Sequence, residues 1–163
     1  MKTLLVLRHA KSSSKDPTLD DHERPLNKRG RRDGPRMGEL VRQYRLIPDM
    51  VISSDAVRAR LTAEAVAEAA RYAGEILLDQ HLYMASPADI LSVLRAVRGN
   101  AETVMIVGHN PGLEQLVEQL TGEQQDLPTA ALAQIALPID QWRDLKLSTR
   151  GTLVDHWRPK ELT

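Results

Sequence analysis

Near the start of the chain a cation stands beside an imidazole, Arg8 and His9 in "TLLVLRHAKSS". A second arginine, Arg58, lies in "SSDAVRAR", and a second imidazole, His109, in "VMIVGHN". Phosphoryl transfer suits such groups, because it is mostly positioning and stabilisation of charge spread over the phosphoryl oxygens. Guanidinium groups match those oxygens in a bidentate geometry. A neutral imidazole can attack phosphorus and hold it as a phosphohistidine, which divides one transfer into two steps. A second imidazole, donating from its ring N–H, would stabilise the same oxygens. Each residue also has a plain structural reading. A strand-end histidine is commonly a hydrogen-bonded packing residue, and an arginine early in a helix is commonly solvated. Arg58 fits that reading poorly, since a positive charge near a helix N-terminus opposes the helix dipole. A bound anion would offset it.

The elements that must position these groups alternate along the chain. The strand candidates are "TLLVLR", "DMVISS", "EILLD" and "TVMIVGH", then "ALAQIALP" and "GTLVDHW". The first four are apolar on both faces where they are densest, which predicts strands covered by helices. Helices are expected over Asn27 to Tyr44, with Pro35 kinking its early part, and over Ala56 to Tyr72, with Asp55 placed to cap it. Two more are expected over Ser86 to Val97 and Pro111 to Leu120, each opening on a cap followed by proline, with Ser86 and Asn110 as the caps. The alternation implies a three-layer α/β/α sandwich around a mostly parallel sheet, with the last two strands as an antiparallel edge. Ligands of open α/β sheets bind beyond the carboxyl ends of the strands. The Arg8-His9 pair, Arg58 and His109 follow three separate strand candidates, so chance would have to gather all of them at one rim. The polar stretch "HAKSSSKDPTLDDHERP" is a long loop for a compact domain, and such loops are often functional.

Composition narrows the classes. The 163 residues suggest one domain with a core of its own. Lys plus Arg and Asp plus Glu number 22 each, for a net charge of +0. That balance argues against nucleic acid as a partner, which would call for a basic excess. There is no cysteine, so disulfides, thiolate metal sites and cysteine nucleophiles are excluded. The apolar run after Lys2 is only about five residues, against roughly 7–15 in the core of a signal peptide. No apolar stretch is long enough to span a bilayer. A cytoplasmic protein without a membrane partner is the expectation.

The motifs resemble those of a known family. "LRHAKS" resembles the Arg-His-Gly/Ala motif of the histidine phosphatase superfamily, which includes the phosphoglycerate mutases and acid phosphatases. "ERPLNKRGRRD" resembles its Arg-Pro-Leu-(Thr/Asn)-x-x-Gly block. "SSDAVRARLTAEA" resembles its Ser-x-x-x-Arg-Ala-x-x-Thr-Ala block, and "VMIVGHNPGLEQL" its late histidine block. The blocks occur in order over nearly the whole chain, as a single domain spanning 1–163. The short length, Ala10 in place of Gly and "RHAKS" look most like the SixA-type branch, which is associated with phosphohistidine phosphatase activity. The resemblance implies a phosphoglycerate mutase-like fold and makes His9 the nucleophile. Arg8, Arg58 and His109 become the phosphate pocket, with Arg24 a substrate-binding neighbour, and neither metal nor other cofactor is implied.

The proton donor departs from the family's pattern. Many members carry a Glu after the third strand, where this chain has Tyr83 or Met84. Others carry an Asp directly after the late His, where this chain has Asn110, which cannot act as an acid. Asp20 or Asp21 of the long loop could bend in, while His22 and His81 read as surface residues. A pocket without an acid is tolerable for a phosphoramidate, whose leaving nitrogen can already be protonated, and poor for ordinary alkyl esters. The expected substrate is therefore a phosphohistidine protein. Rival readings are a small phosphate ester or phosphoanhydride handled by the same mechanism, a non-catalytic phosphate-binding module, and a His9/His109 metal site, which the two arginines disfavour.

Overall fold

The computed structural model describes residues 1–162. Its central strand is β1 (Lys2–Arg8), whose side chains divide strictly by the two-residue period of a strand. Leu4 and Val6 enter one core and Leu5 and Leu7 the other, all at most 1% exposed. Only a strand covered on both faces tolerates that pattern.

β1 pairs in parallel with β4 (Thr103–Gly108), β4 with β2 (Met50–Ser53), and β2 with β3 (Ile76–Leu78). On its other side β1 pairs antiparallel with β5 (Leu132–Leu137), and β5 with β6 (Thr152–Trp157). The sheet order is thus β3-β2-β4-β1-β5-β6, mostly parallel with an antiparallel edge. β3 departs from the expected two-sided burial, with Leu77 42% and Leu78 50% exposed. It is one of the two outermost strands, and the helices cover only part of it.

Helices α1 (Lys28–Gln43) and α2 (Val57–Ala70) cover one face, and α3 (Pro87–Arg95) and α4 (Gly112–Thr121) the other. The alanine-rich α2 lets α1 come close. A Cβ at Gly38 would run into the carbonyl oxygen of Val66 and the Ala69 methyl. Asn27 caps α1, accepting from Gly30 N at 2.9 Å, and the helix continues through Pro35. Ser86 caps α3 with Pro87 in its first turn, as the sequence predicts, and Asp89 completes a reciprocal capping box. Two caps differ from expectation. The N-cap of α2 is Ala56, without a side-chain bond, because Asp55 accepts instead from His22 Nε2 at 2.9 Å. The N-cap of α4 is Pro111, while Asn110 Oδ1 still accepts from Glu114 N at 3.3 Å. Among the described residues no helix is long and apolar enough to cross a membrane.

Candidate active site

Strand order explains why the candidate residues meet. β2, β4 and β1 are consecutive neighbours, so their carboxyl ends lie side by side. Arg8 pairs in register with Gly108, and His9 N donates to Gly108 O at 3.1 Å. His9 and His109, each one residue past its strand, therefore stand with ring centroids 5.1 Å apart. On the other flank Ser54 N donates to Val107 O at 2.9 Å, which sets the start of α2 and delivers Arg58 beside both rings.

His9 is buried and its tautomer is fixed. Its Nδ1 lies 2.7 Å from the carbonyl oxygen of Ala10, which can only accept, so Nδ1 carries the proton and Nε2 keeps its lone pair. Burial pushes the imidazole's pKa down to about 4, with the nearby charges of Arg58 and Arg8 adding to the effect. The ring is therefore neutral at pH 7 and loses its lone pair only as the pH falls through about 4. A ring-proton NMR titration of His9 should give a midpoint near 4; a midpoint at the ordinary 6.5 would show that burial does not govern this ring.

His109 Nε2 stands 2.8 Å from Ser54 Oγ, and its Nδ1 faces Arg58 Nη2 at 3.4 Å. Burial first, then the neighbouring His9, lowers its pKa to about 3. Ser54 Oγ already accepts from Ala56 N at 3.2 Å. Arg58 can only donate, so Nδ1 accepts from it and the ring proton sits on Nε2, which donates to Ser54 Oγ.

The two arginines are anchored differently. Arg8 Nη1 donates to Leu127 O at 3.1 Å. Arg58, only 5% exposed, places Nε 3.4 Å from His9 Nε2. Its Nη1 donates to the backbone oxygen of Asp21 at 2.7 Å and its Nη2 to Asp21 Oδ2 at 2.9 Å. The long loop thus folds over the pocket, and Asp21 rather than Asp20 enters it. Tyr83 Oη donates to Asp21 Oδ2 at 2.6 Å and Arg24 Nη1 to Oδ1 at 3.2 Å. The Tyr83 hydroxyl first, then Arg58 and Arg24, hold the Asp21 carboxyl down to about 2, so it is an anion at neutral pH. Arg24 is fastened to Ser12 Oγ at 2.8 Å and to Ser13 O at 3.0 Å, and it lines the pocket with Lys11, Met84 and Thr129.

The structure thus brings together all five residues singled out from the sequence. Tyr83, one of the two residues at the place where the resemblance leads one to expect a Glu, holds a carboxylate from another segment. His22 is less exposed than a surface residue, with its side chain 32% accessible and its ring edge-on to Tyr83 at 4.9 Å. His81 is exposed. Ser54 and Thr62 were not singled out as site residues, although both are letters of the "SSDAVRARLTAEA" block. Thr62 Oγ1 accepts from Ala10 N at 2.9 Å and donates to Arg58 O at 2.7 Å, tying the residue after His9 to the backbone of Arg58. Its position four residues after Arg58 is the local signal, since threonine in a helix bonds back to that carbonyl. Among the described residues no three His, Cys, Asp or Glu side chains are grouped to share a metal ion.

This arrangement offers a bare imidazole nitrogen beside two guanidinium groups and a second imidazole. The family model of the histidine phosphatase superfamily (branch 1) matches residues 4–82. A protein of Agrobacterium tumefaciens described as a phosphohistidine phosphatase SixA has a structure that superposes with a TM-score of 0.82 at 30% identity, over 97% of this chain and 98% of that one. The chain belongs to the histidine phosphatase superfamily. Within it this histidine phosphatase sits with the SixA-type members. The SixA described from Nakamurella multipartitia gives a TM-score of 0.86 at 25% identity, over 97% of this chain and 96% of that one. An uncharacterized protein of Mycobacterium tuberculosis is 36% identical over 107 residues, which span 64% of this histidine phosphatase and 63% of that relative.

Proposed function

We propose that this phosphatase dephosphorylates phosphohistidine in a protein, in the cytoplasm and without a metal. His9 Nε2 attacks phosphorus, the P–N bond of the substrate breaks, and its electron pair stays with the leaving imidazole. That ring departs neutral when its other nitrogen carries a proton. Water then attacks phospho-His9, the P–Nε2 bond breaks with its pair returning to Nε2, and the water's hydrogens leave with inorganic phosphate. Such transition states are loose, so water needs little help from a base. Arg8 and Arg58 take the charge on the phosphoryl oxygens with the His109 ring beside them, and Arg24 binds at the rim.

One observation favours phosphohistidine over an alkyl ester. The carboxylate that enters the pocket, Asp21, is held ionised by Tyr83, Arg58 and Arg24, so the resting site has no proton ready for an alkoxide. The test is a turnover panel of phosphohistidine, phosphoserine and small phosphate esters, run with and without exhaustive EDTA treatment. Phosphohistidine should lead and chelation should change nothing. A lead for phosphoserine, or activity restored by one divalent ion after chelation, would overturn the reading.

Arg58 supplies a sharper test. Fixed charge-assisted donors at anion-stabilising sites are worth on the order of 10²–10³-fold in rate. Arg58→Ala should lose turnover by that order while its melting temperature moves little, since the Asp21 carboxylate it abandons is half exposed. Wild-type turnover in Arg58→Ala would remove this residue from the pocket.

A further inference from the structure

A second hollow adjoins the catalytic pocket and plays no part in the mechanism above. It lies between α1 and the last turn of the described chain, lined by Arg29, Arg32, Arg36 and Lys160, with Thr129 on the side toward the pocket. Thr129 lines both hollows and is the one residue they share. Arg29 Nη2 donates to Thr129 Oγ1 at 3.2 Å, so this arginine lies against the dividing side chain.

The charges here are unequal. Asp33, 3% exposed, is the carboxylate lining the hollow. It meets Arg36 at 3.3 Å and Arg32 at 3.5 Å. Arg36 also donates to the backbone oxygens of Pro159 and Leu162, which commits it to holding the final turn. Arg32 keeps a side chain 65% exposed, and Arg29 and Lys160 are exposed, with no ion pair among the described residues. A chain of net charge +0 therefore concentrates cations beside its phosphoryl pocket.

We propose that this hollow docks an acidic stretch of the protein that carries the phosphohistidine, an inference that rests on the function proposed above. Charge complementarity selects Asp and Glu side chains. The division at Thr129 selects an extended occupant. A phosphoryl group held between His9 and Arg58 lies on one side of that residue, and a carboxylate held by Arg32 and Lys160 on the other. A simple monoester does not reach past it, whereas a polypeptide flanking the phosphohistidine does. The docking contacts do not change along the reaction, so they lower KM and leave kcat alone.

The test compares two synthetic peptides of equal length, phosphorylated on one histidine with phosphoramidate. One is flanked by Asp and Glu, the other by Ser and Gln. The acidic peptide should show a kcat/KM higher by about tenfold at low salt, carried by KM and fading as salt rises. The triple variant Arg29→Ala, Arg32→Ala, Lys160→Ala should erase that advantage and leave aryl phosphate turnover unchanged. Alanine suits the exposed helical positions, and the salt series on the unaltered protein reads the same contact without any substitution. Equal turnover of the two peptides, or an advantage that survives the triple variant, would overturn the docking site and leave the phosphohistidine reading standing. Turnover of aryl phosphate but of neither peptide would overturn that reading, and the occupant proposed here with it. Loss of aryl phosphate turnover in the triple variant would also overturn the proposal, since the hollow would then serve the catalytic pocket itself.

Discussion

His9→Ala should abolish turnover and remove the acid-labile phosphate from the protein, while the fold persists. The chemistry requires a nitrogen that is uncharged, aimed and unprotonated. His9 meets all of these because Ala10 O accepts from Nδ1–H, leaving Nε2 bare, and burial keeps the ring neutral. No other group in the pocket can take over. His109 Nε2 is engaged by Ser54, and its Nδ1 faces Arg58. The fold is expected to survive because the backbone of His9 is held independently of the ring, through its N–H to Gly108 O and its carbonyl from Ala130 N. The imidazole lies past the end of β1, outside the two apolar cores. The check is a pair of measurements on one sample: labelling by a radioactive phosphohistidine peptide, quenched and treated with acid, and a thermal melt. Labelling retained in His9→Ala, with a wild-type melt, would place the nucleophile elsewhere.

Much of this was legible in the sequence because strand ends carry their own signal. An apolar run covered on both faces must stop where chemistry begins, and Arg8-His9 and His109 follow such runs directly. The α/β alternation then predicted that those ends share a rim. The adjacency β2-β4-β1, which sets the spacing of the imidazoles, was not legible, because pairing is decided by the whole sheet. The same limit explains the excess burial expected of Leu77 and Leu78, since nothing local marks β3 as an outermost strand. Asp55 is a sound cap by local rules, yet it is taken by His22, 33 residues away in sequence. Asp21 was the hardest to place. Its partners Arg58 and Tyr83 lie 37 and 62 residues along the chain. A loop conformation fixed by such distant partners leaves no periodicity or cap to read.

Alkyl phosphates should be hydrolysed about 10²–10⁴-fold more slowly than aryl phosphates and phosphoramidates, the range that general acid help is typically worth. The reason is the state of Asp21. A carboxyl held near 2 is ionised at every pH where His9 is neutral, so acid and nucleophile are not both ready in the free enzyme. Asp21 Oδ2 also sits on Arg58 Nη2, a donor that a phosphoryl oxygen needs. The carboxylate therefore competes with the substrate for the same guanidinium. From this competition, Asp21→Asn should tighten vanadate and lower KM for every substrate by a few-fold, a modest gain because the carboxylate is half exposed and screened. The dependence of rate on leaving-group pKa should stay as steep as in the wild type. Another mechanism makes the opposite forecast. If incoming phosphate drove Asp21 off Arg58 and raised its pKa by like-charge repulsion, the carboxyl would become a proton donor in the complex. Asp21→Asn would then collapse alkyl phosphate turnover alone, because an aryloxide or a protonated imidazole leaves without that proton. Measuring kcat and KM of Asp21→Asn on one aryl and one alkyl phosphate decides between competitor and acid. The competitor shows as a lower KM on both esters with an unchanged ratio of their kcat values, and the acid as a selective loss on the alkyl ester. That loss would shift the substrate from phosphohistidine toward a small phosphate ester.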